Sequence, residues 1–170
     1  MKPRITLLVS LTCAAGFLLA TPSGELPWAR FFATVVGTAL VCAGSAALNH
    51  HAERDVDGRM RRTAHRPLPA GRMEPDAALF WGALLAAGGL LLLALGANPL
   101  TALLAAGTLI AYVWVYTPLK RRSALATLVG AVPGAAPPLL GWTGAAGSID
   151  LGAWLLFALL FLWQLPHFLA

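Results

Sequence analysis

The stretch Asn49-His-His-Ala-Glu53-Arg-Asp55-Val-Asp57-Gly-Arg-Met-Arg61-Arg62-Thr-Ala-His-Arg66-Pro-Leu-Pro69 decides how this chain is read. It is the place where a largely apolar run, Ala29–Asn49, passes into a short basic loop. Asn49, Glu53 and Asp57 recur every four residues. On a continuing helix each such step turns the side chain by about 40° and lifts it about 6 Å, so the three oxygen-bearing groups share one face. That face suits a hard divalent cation. Magnesium takes oxygen ligands and completes its octahedron with water and substrate phosphates, and the arginines that follow can hold the remaining phosphate charge. The pattern therefore points to diphosphate chemistry at a membrane surface. Asp55 lies about 200° around the helix from Glu53, so it faces away or belongs to an unwound end, and it ranks below the other two. The competing reading is an ordinary solvated loop that is basic because membrane topology demands it. It accounts for the arginines but not for acids clustered at the membrane edge, and spacing alone leaves both readings open.

Working outward, 58% of the residues are hydrophobic and 11% charged, with a mean hydropathy of +0.73. So little polar surface cannot cover a soluble globule of 170 residues, which places the chain in a bilayer. The net charge of +5 does not indicate nucleic acid, because the basic residues fill gaps between apolar segments and form no stripe with aromatics. Cys13 and Cys42 both lie inside apolar segments, without metal-ligand spacing, and read as packing residues. Met-Lys-Pro-Arg before an apolar run has the layout of a secretory signal. Cleavage after Ala20 or Thr21 would put Leu18 or Leu19 where a small residue is wanted, so a retained first helix is expected.

Six segments are long and apolar enough to be candidate spans: Ile5–Ala20, Ala29–Asn49, Asp76–Ala97, Pro99–Thr117, Ala124–Trp142 and Leu151–His167. The expected fold is an all-α, polytopic transmembrane helix bundle forming a single domain over residues 1–170, with no soluble domain and no repeat. The fifth segment holds Pro133, Pro137 and Pro138 with Gly130, Gly134 and Gly141, and is expected to be kinked or broken. Gly130 and Gly134 form a small-xxx-small pair that serves helix packing or lines a cavity. Eleven of the twelve Lys and Arg residues fall at Lys2–Arg4, Arg54–Arg72 and Lys120–Arg122. A six-helix path puts all three on one side, which the positive-inside rule assigns to the cytoplasm together with the amino terminus. Trp28, Trp114, Trp142 and Trp154 fall near expected span ends, where amphipathic rings favour the interface.

Lys120, Arg121 and Arg122 form a second basic cluster after Tyr116-Thr-Pro-Leu119. By itself it reads as a topogenic anchor; on the same face as the acidic motif it reads as phosphate binding. His50 and His51, adjacent at a helix end, read as interfacial donors ahead of metal or haem ligands. His167, an ionisable residue after Pro166 near the end of the last segment, is a functional candidate that also has the option of reaching water.

The order of these motifs resembles the UbiA superfamily of intramembrane prenyltransferases. Its first acidic motif, Asn-x3-Asp-x3-Asp after the second membrane helix, is matched by Asn49, Glu53 and Asp57, with Glu for the first Asp. The longer string Arg54-Asp-Val-Asp-x-x-Met-x-Arg-Thr-x-x-Arg-Pro-Leu-Pro69 is most similar to the haem-modifying branch, the haem O synthases or protoheme IX farnesyltransferases. Tyr116-Thr-Pro-Leu-Lys-Arg121, Gly130-Ala-Val-Pro-Gly-Ala-Ala-Pro-Pro-Leu-Leu-Gly-Trp142 and Phe161-Leu-Trp-Gln-Leu-Pro-His-Phe168 point the same way. Family members have about nine membrane helices and a second acidic motif shortly after the Pro-His-Phe stretch. Against that pattern the chain is expected to be an amino-terminal fragment with its carboxyl-terminal part and half the metal site missing.

For a complete enzyme the resemblance implies transfer of the farnesyl group of farnesyl diphosphate to a vinyl group of haem B, giving haem O and diphosphate. Asn49, Glu53 and Asp57 would hold Mg2+ on the diphosphate. Lys120 and Arg121, with Arg61, Arg62 and Arg66, would neutralise the leaving group, and His167 would contact haem. The implied partners are the two substrates, the lipid bilayer, and proteins of haem A synthesis or haem-copper oxidase assembly. The implied location is a bacterial inner membrane. Two other readings stand beside this one: a prenyltransferase of the same superfamily acting on an aromatic or quinone-precursor acceptor, and a membrane assembly or transport protein without catalysis.

Overall fold

The structure is a computed structural model and describes residues 3–22, 25–61, 63–120, 122–123 and 125–169; the side chains of Pro3 and of residues 167–169 lie outside the described set. Among the described residues it is all helix, with no strand. The elements are α1 (Pro3–Ala20), α2 (Trp28–Asp57), α3 (Pro75–Gly96) and α4 (Pro99–Ile110). A π-helical segment π1 (Ala111–Tyr116) and a single turn α5 (Thr117–Leu119) continue α4, followed by α6 (Ala126–Ala146) and α7 (Leu151–Leu169). These make six rods, with boundaries close to those expected from hydropathy. Three of them, Trp28–Asp57, Pro75–Gly96 and Pro99–Leu119, are long and apolar enough to cross a membrane by length and composition, and Arg4–Ala20 and Leu151–Pro166 are shorter apolar helices. Large apolar side chains such as Leu7, Phe80, Leu95 and Leu103 point outward. An apolar outer face is what a lipid solvent stabilises, and it cannot drive helices together, so packing has to come from close fit.

That fit is made by small residues. Along the α2–α3 seam a Cβ on Gly44 would lie 2.6 Å from the Ala86 nitrogen, and one on Gly89 would lie 2.7 Å from the Gly37 carbonyl oxygen. Val41, Ala86 and Leu93 fill the same seam and join Ala105, Leu109 and Leu140 in the buried core. The α1–α6 pair is closer still: a Cβ on Gly16 would run into the Pro138 carbonyl, and one on Gly141 into the Cys13 carbonyl. Cys13 is fully buried there, its Sγ 3.6 Å from Thr38 Oγ1, as a packing residue should be.

The proline-rich segment is not broken. α6 runs from Ala126 to Ala146 with Pro133, Pro137 and Pro138 inside it. Each proline withholds one N–H from the ladder, but in this helix they are buried between packed neighbours and have no lipid-facing gap to expose. Gly147, in the left-handed region at φ 71°, ends the helix and donates to the Thr143 carbonyl at 2.8 Å. Trp28, Trp114 and Trp154 are exposed near span ends as expected. Trp142 is not; its ring packs over Gly152 of α7, where the missing side chain leaves room for it.

Candidate functional site

α2 is long enough to carry the acidic motif past the apolar section without unwinding, since it stays helical to Asp57. Asn49, Glu53 and Asp57 are 2%, 5% and 1% exposed, so all three face inward on one stripe. Asp55 faces out, with its side chain 82% exposed and Arg54 Nε at 3.8 Å.

Each inward group has a partner from another part of the chain. Lys120 Nζ donates to Glu53 Oε1 at 3.2 Å and Oε2 at 3.4 Å. Arg66 donates from a guanidinium nitrogen to Asp57 Oδ2 at 2.6 Å, and the Thr63 hydroxyl donates to the Asp57 carbonyl at 2.8 Å, folding the basic loop back over the end of α2. Asn49 Nδ2 donates to Thr117 Oγ1 at 2.9 Å, which leaves Asn49 Oδ1 without a partner among the described residues. Thr117 Oγ1 in turn donates to the Tyr112 carbonyl at 2.9 Å.

That last bond spans five residues and belongs to the π1 register, in which the Thr117 N–H also meets the Tyr112 carbonyl. The physical cause is Pro118, whose ring would clash with the carbonyl of Trp114 four residues earlier in a regular helix; the wider turn relieves it. The segment presents Tyr112 and Tyr116 as a stacked pair, with ring centroids 5.4 Å apart and planes 21° apart. Tyr116 lies over Gly130 of α6, the residue whose missing Cβ makes room for the ring.

A cavity of about 1560 Å³, above the roughly 300–1,000 Å³ of ordinary ligand pockets, meets this cluster at Lys120 and the tyrosine pair. Its walls come from α1, α2, α4, π1, α6 and α7. Lys120, Arg122 and Ser123 mark the polar end, and Val41, Leu109, Pro137 and Leu140 contribute apolar wall. Gly130 and Gly134 both line it, and both also seat a neighbouring side chain, so they serve packing and cavity together.

Of the site residues expected from sequence, the structure gathers Asn49, Glu53, Asp57, Arg66 and Lys120 at one end of the bundle. Arg61 is exposed and pairs with neither buried carboxylate. Arg62 and Arg121 lie outside the described residues, and so does the side chain of His167, whose backbone is on α7. His51 bridges α2 to the start of α3: Arg54 donates to its Nε2 at 3.1 Å, leaving Nδ1 to donate to the Pro75 carbonyl at 3.0 Å. Sequence reasoning did not single out Thr117, Tyr112 or Gln164. The proline one residue after Thr117, at the end of an apolar span, was the signal available.

No group of three His, Cys, Asp or Glu is placed to hold a metal ion among the described residues. The oxygen set here is two carboxylates and an amide on one helix face, which matches a hard cation that shares its shell with phosphate and water.

A protein-family comparison matches residues 9–170 to the UbiA prenyltransferase family. Among curated proteins, the protoheme IX farnesyltransferase of Anaeromyxobacter dehalogenans is 56% identical over 169 residues, covering 99% of this chain and 57% of that protein. The mitochondrial protoheme IX farnesyltransferase of Homo sapiens is 45% identical over 98% of this chain and 37% of its own length. The chain thus spans little more than half the length of the bacterial relatives and 37% of the human one. A solved apo structure of a UbiA homolog from Aeropyrum pernix K1 superposes with a TM-score of 0.73 at 24% identity, over 94% of this chain and 59% of that one, and shares the fold. With a family match reaching from the first helix to the last, this membrane-helix bundle belongs to the UbiA prenyltransferase family.

Proposed function

We propose that the protein transfers the farnesyl group of farnesyl diphosphate to a vinyl group of haem B, forming haem O. The observation that carries this reading is the buried Asn49–Glu53–Asp57 face, paired with Arg66 and with Lys120, which also lines a large and mainly apolar cavity. The names of the similar proteins supply the acceptor.

Lys120 and Arg66 now neutralise Glu53 and Asp57. An entering diphosphate would offer phosphate oxygens to the two side-chain cations, and the Glu53 and Asp57 carboxylates with Asn49 Oδ1 would hold the divalent cation that accompanies it. No buried charge is left unpaired at any stage, which matters because breaking a buried pair costs about 3–5 kcal/mol. Magnesium, held by Asn49, Glu53 and Asp57, supplies Lewis-acid charge to the diphosphate when bound. Lys120 and Arg66, preplaced where negative charge grows as the allylic carbon–oxygen bond breaks, lower the barrier electrostatically. Arg61, Arg62 and Arg121 add further positive charge for the leaving group in this reading. The apolar walls keep water from capturing the allylic cation before the vinyl group attacks. His167 contacts the haem in this reading.

The same reading places the amino terminus and the three basic segments on the cytoplasmic face of a bacterial inner membrane, with proteins of haem A synthesis or oxidase assembly receiving the product. The test is to incubate membrane vesicles from cells expressing the gene with haem B, farnesyl diphosphate and magnesium, and to follow haem O by mass. Haem O that disappears in Asp57→Ala supports the assignment. Prenylation of a benzoate acceptor with no prenylated haem refutes it.

A further inference from the structure

Gln164 belongs to the Trp-Gln-x-Pro-His-Phe stretch, and the diphosphate site makes no use of it. The residue is 8% exposed and lies on the cavity wall with Trp163 and Gly134. Its Nε2 donates to the Leu160 carbonyl at 3.0 Å and to the Ala131 carbonyl at 3.4 Å. Both amide protons are thus committed to backbone oxygens, which fixes which way the amide lies. The other end, Oε1, accepts no hydrogen bond among the described residues and sits over Gly134, where any Cβ would run into it.

An amide oxygen with unused lone pairs in apolar surroundings is costly unless something donates to it. Neither a prenyl chain nor a porphyrin vinyl group has a donor to offer. Water does. The depth is also telling, because Gly130 seats Tyr116 and Gly134 seats Gln164. One turn of α6 therefore puts Oε1 about 6 Å further than Tyr116 from the end where Lys120 and Arg66 gather. A water molecule there lies deeper in the cavity than the groups that face the diphosphate, which separates it from the first, allylic cation.

We propose that Gln164 Oε1 holds and orients the water that ends the reaction, an assignment that rests on the prenyl transfer to haem described above. The vinyl π pair forms the new bond to the allylic carbon, as that carbon's bond to the diphosphate oxygen breaks and its electrons leave with diphosphate. Positive charge is left on the vinyl carbon next to the macrocycle. A lone pair of the water forms the carbon–oxygen bond there, and the proton it sheds passes to the released diphosphate. Oε1 accepts a hydrogen bond from the water's other O–H, which stays on the product as the alcohol proton; that bond turns a lone pair toward the cation, and the negative end of the amide dipole faces the charge. Without that anchor the competing outcome is loss of a proton from the neighbouring carbon, which gives an alkene lighter than the alcohol by one water.

The test compares Gln164→Leu and Gly134→Ala with wild type in the same vesicles, supplied with haem B, farnesyl diphosphate and magnesium, separating hydroxylated from dehydrated prenyl-haem by mass. Gln164→Leu is expected to keep prenylating haem while its alcohol-to-alkene ratio falls about tenfold, the rate equivalent of one lost hydrogen bond. Gly134→Ala keeps the glutamine but displaces Oε1, so its ratio falls in the same direction. An unchanged ratio in variants that still prenylate haem overturns the assignment, as does loss of all prenylated haem in both, which would mark Gln164 as structural. Wild-type vesicles that form no prenylated haem overturn the reaction itself.

Discussion

Replacing Asp57 by Asn keeps the shape of the side chain and removes its charge, which isolates the pair with Arg66. The Oδ2 to guanidinium distance is 2.6 Å, and the two side chains are 2% and 18% exposed. Two unit charges at that separation attract by about 6 kcal/mol at an effective dielectric of 20. Desolvation takes back part of this, and removing one partner of a buried pair costs about 3–5 kcal/mol in practice. Because Arg66 keeps some access to water, Asp57→Asn is expected near the lower end, about 3 kcal/mol, or about 6–12 °C in Tm for a chain of this size. Thermal unfolding in nanodiscs, run as a cycle with Arg66→Met and the double variant, measures the coupling directly. The double variant should be less destabilised than the sum of the singles by about 2 kcal/mol. Magnesium with a non-hydrolysable farnesyl diphosphate analogue should stabilise wild type and not Asp57→Asn. Additive single effects, or equal stabilisation of both proteins by the ligand, would refute the reasoning.

Lys120→Ala leaves the Glu53 carboxylate, whose side chain is 6% exposed, without its partner, but the lysine side chain is 43% exposed and water can reach the gap, so it should cost about 1–3 kcal/mol and weaken diphosphate binding at least about tenfold in a competition titration. The adjacent glycines of α3 should behave oppositely. A Cβ on Gly88 meets nothing within 4 Å, so Gly88→Ala should gain about 0.5–1 kcal/mol in thermal unfolding, whereas Gly89→Ala presses on the Gly37 carbonyl and should lose about 1–3 kcal/mol. Asn49→Ala should cost about 1 kcal/mol through the lost bond to Thr117 and loosen π1, seen as faster amide exchange at Thr117.

Much of the fold was legible because lipid imposes a simple rule. Only a helix satisfies its own backbone in hydrocarbon, so apolar runs of sufficient length declare their structure, and the six rods follow the hydropathy closely. The four-residue spacing of Asn49, Glu53 and Asp57 likewise put them on one face, because helical periodicity is a property of the local chain. It also turned Asp55 outward. What local sequence could not state was which way that face looks, or what meets it. Burial of the acidic stripe, the choice of Lys120 and Arg66 over Arg61, and the link from Asn49 to Thr117 all join residues far apart in the chain, and they exist only once the rods have packed.

The prolines of α6 mark the same boundary. Their individual cost argued for a break, but packing between α1, α4 and α7 keeps the helix whole and turns its glycines into seats for Tyr116 and Gln164. By itself the sequence determined the medium, the helices and the shared face of Asn49, Glu53 and Asp57, because these depend on composition and on periodicities of a few residues. The tertiary structure decided the partners of Glu53 and Asp57, the cavity and the seating of Gln164 over Gly134, because those depend on distances between helices that no local pattern encodes.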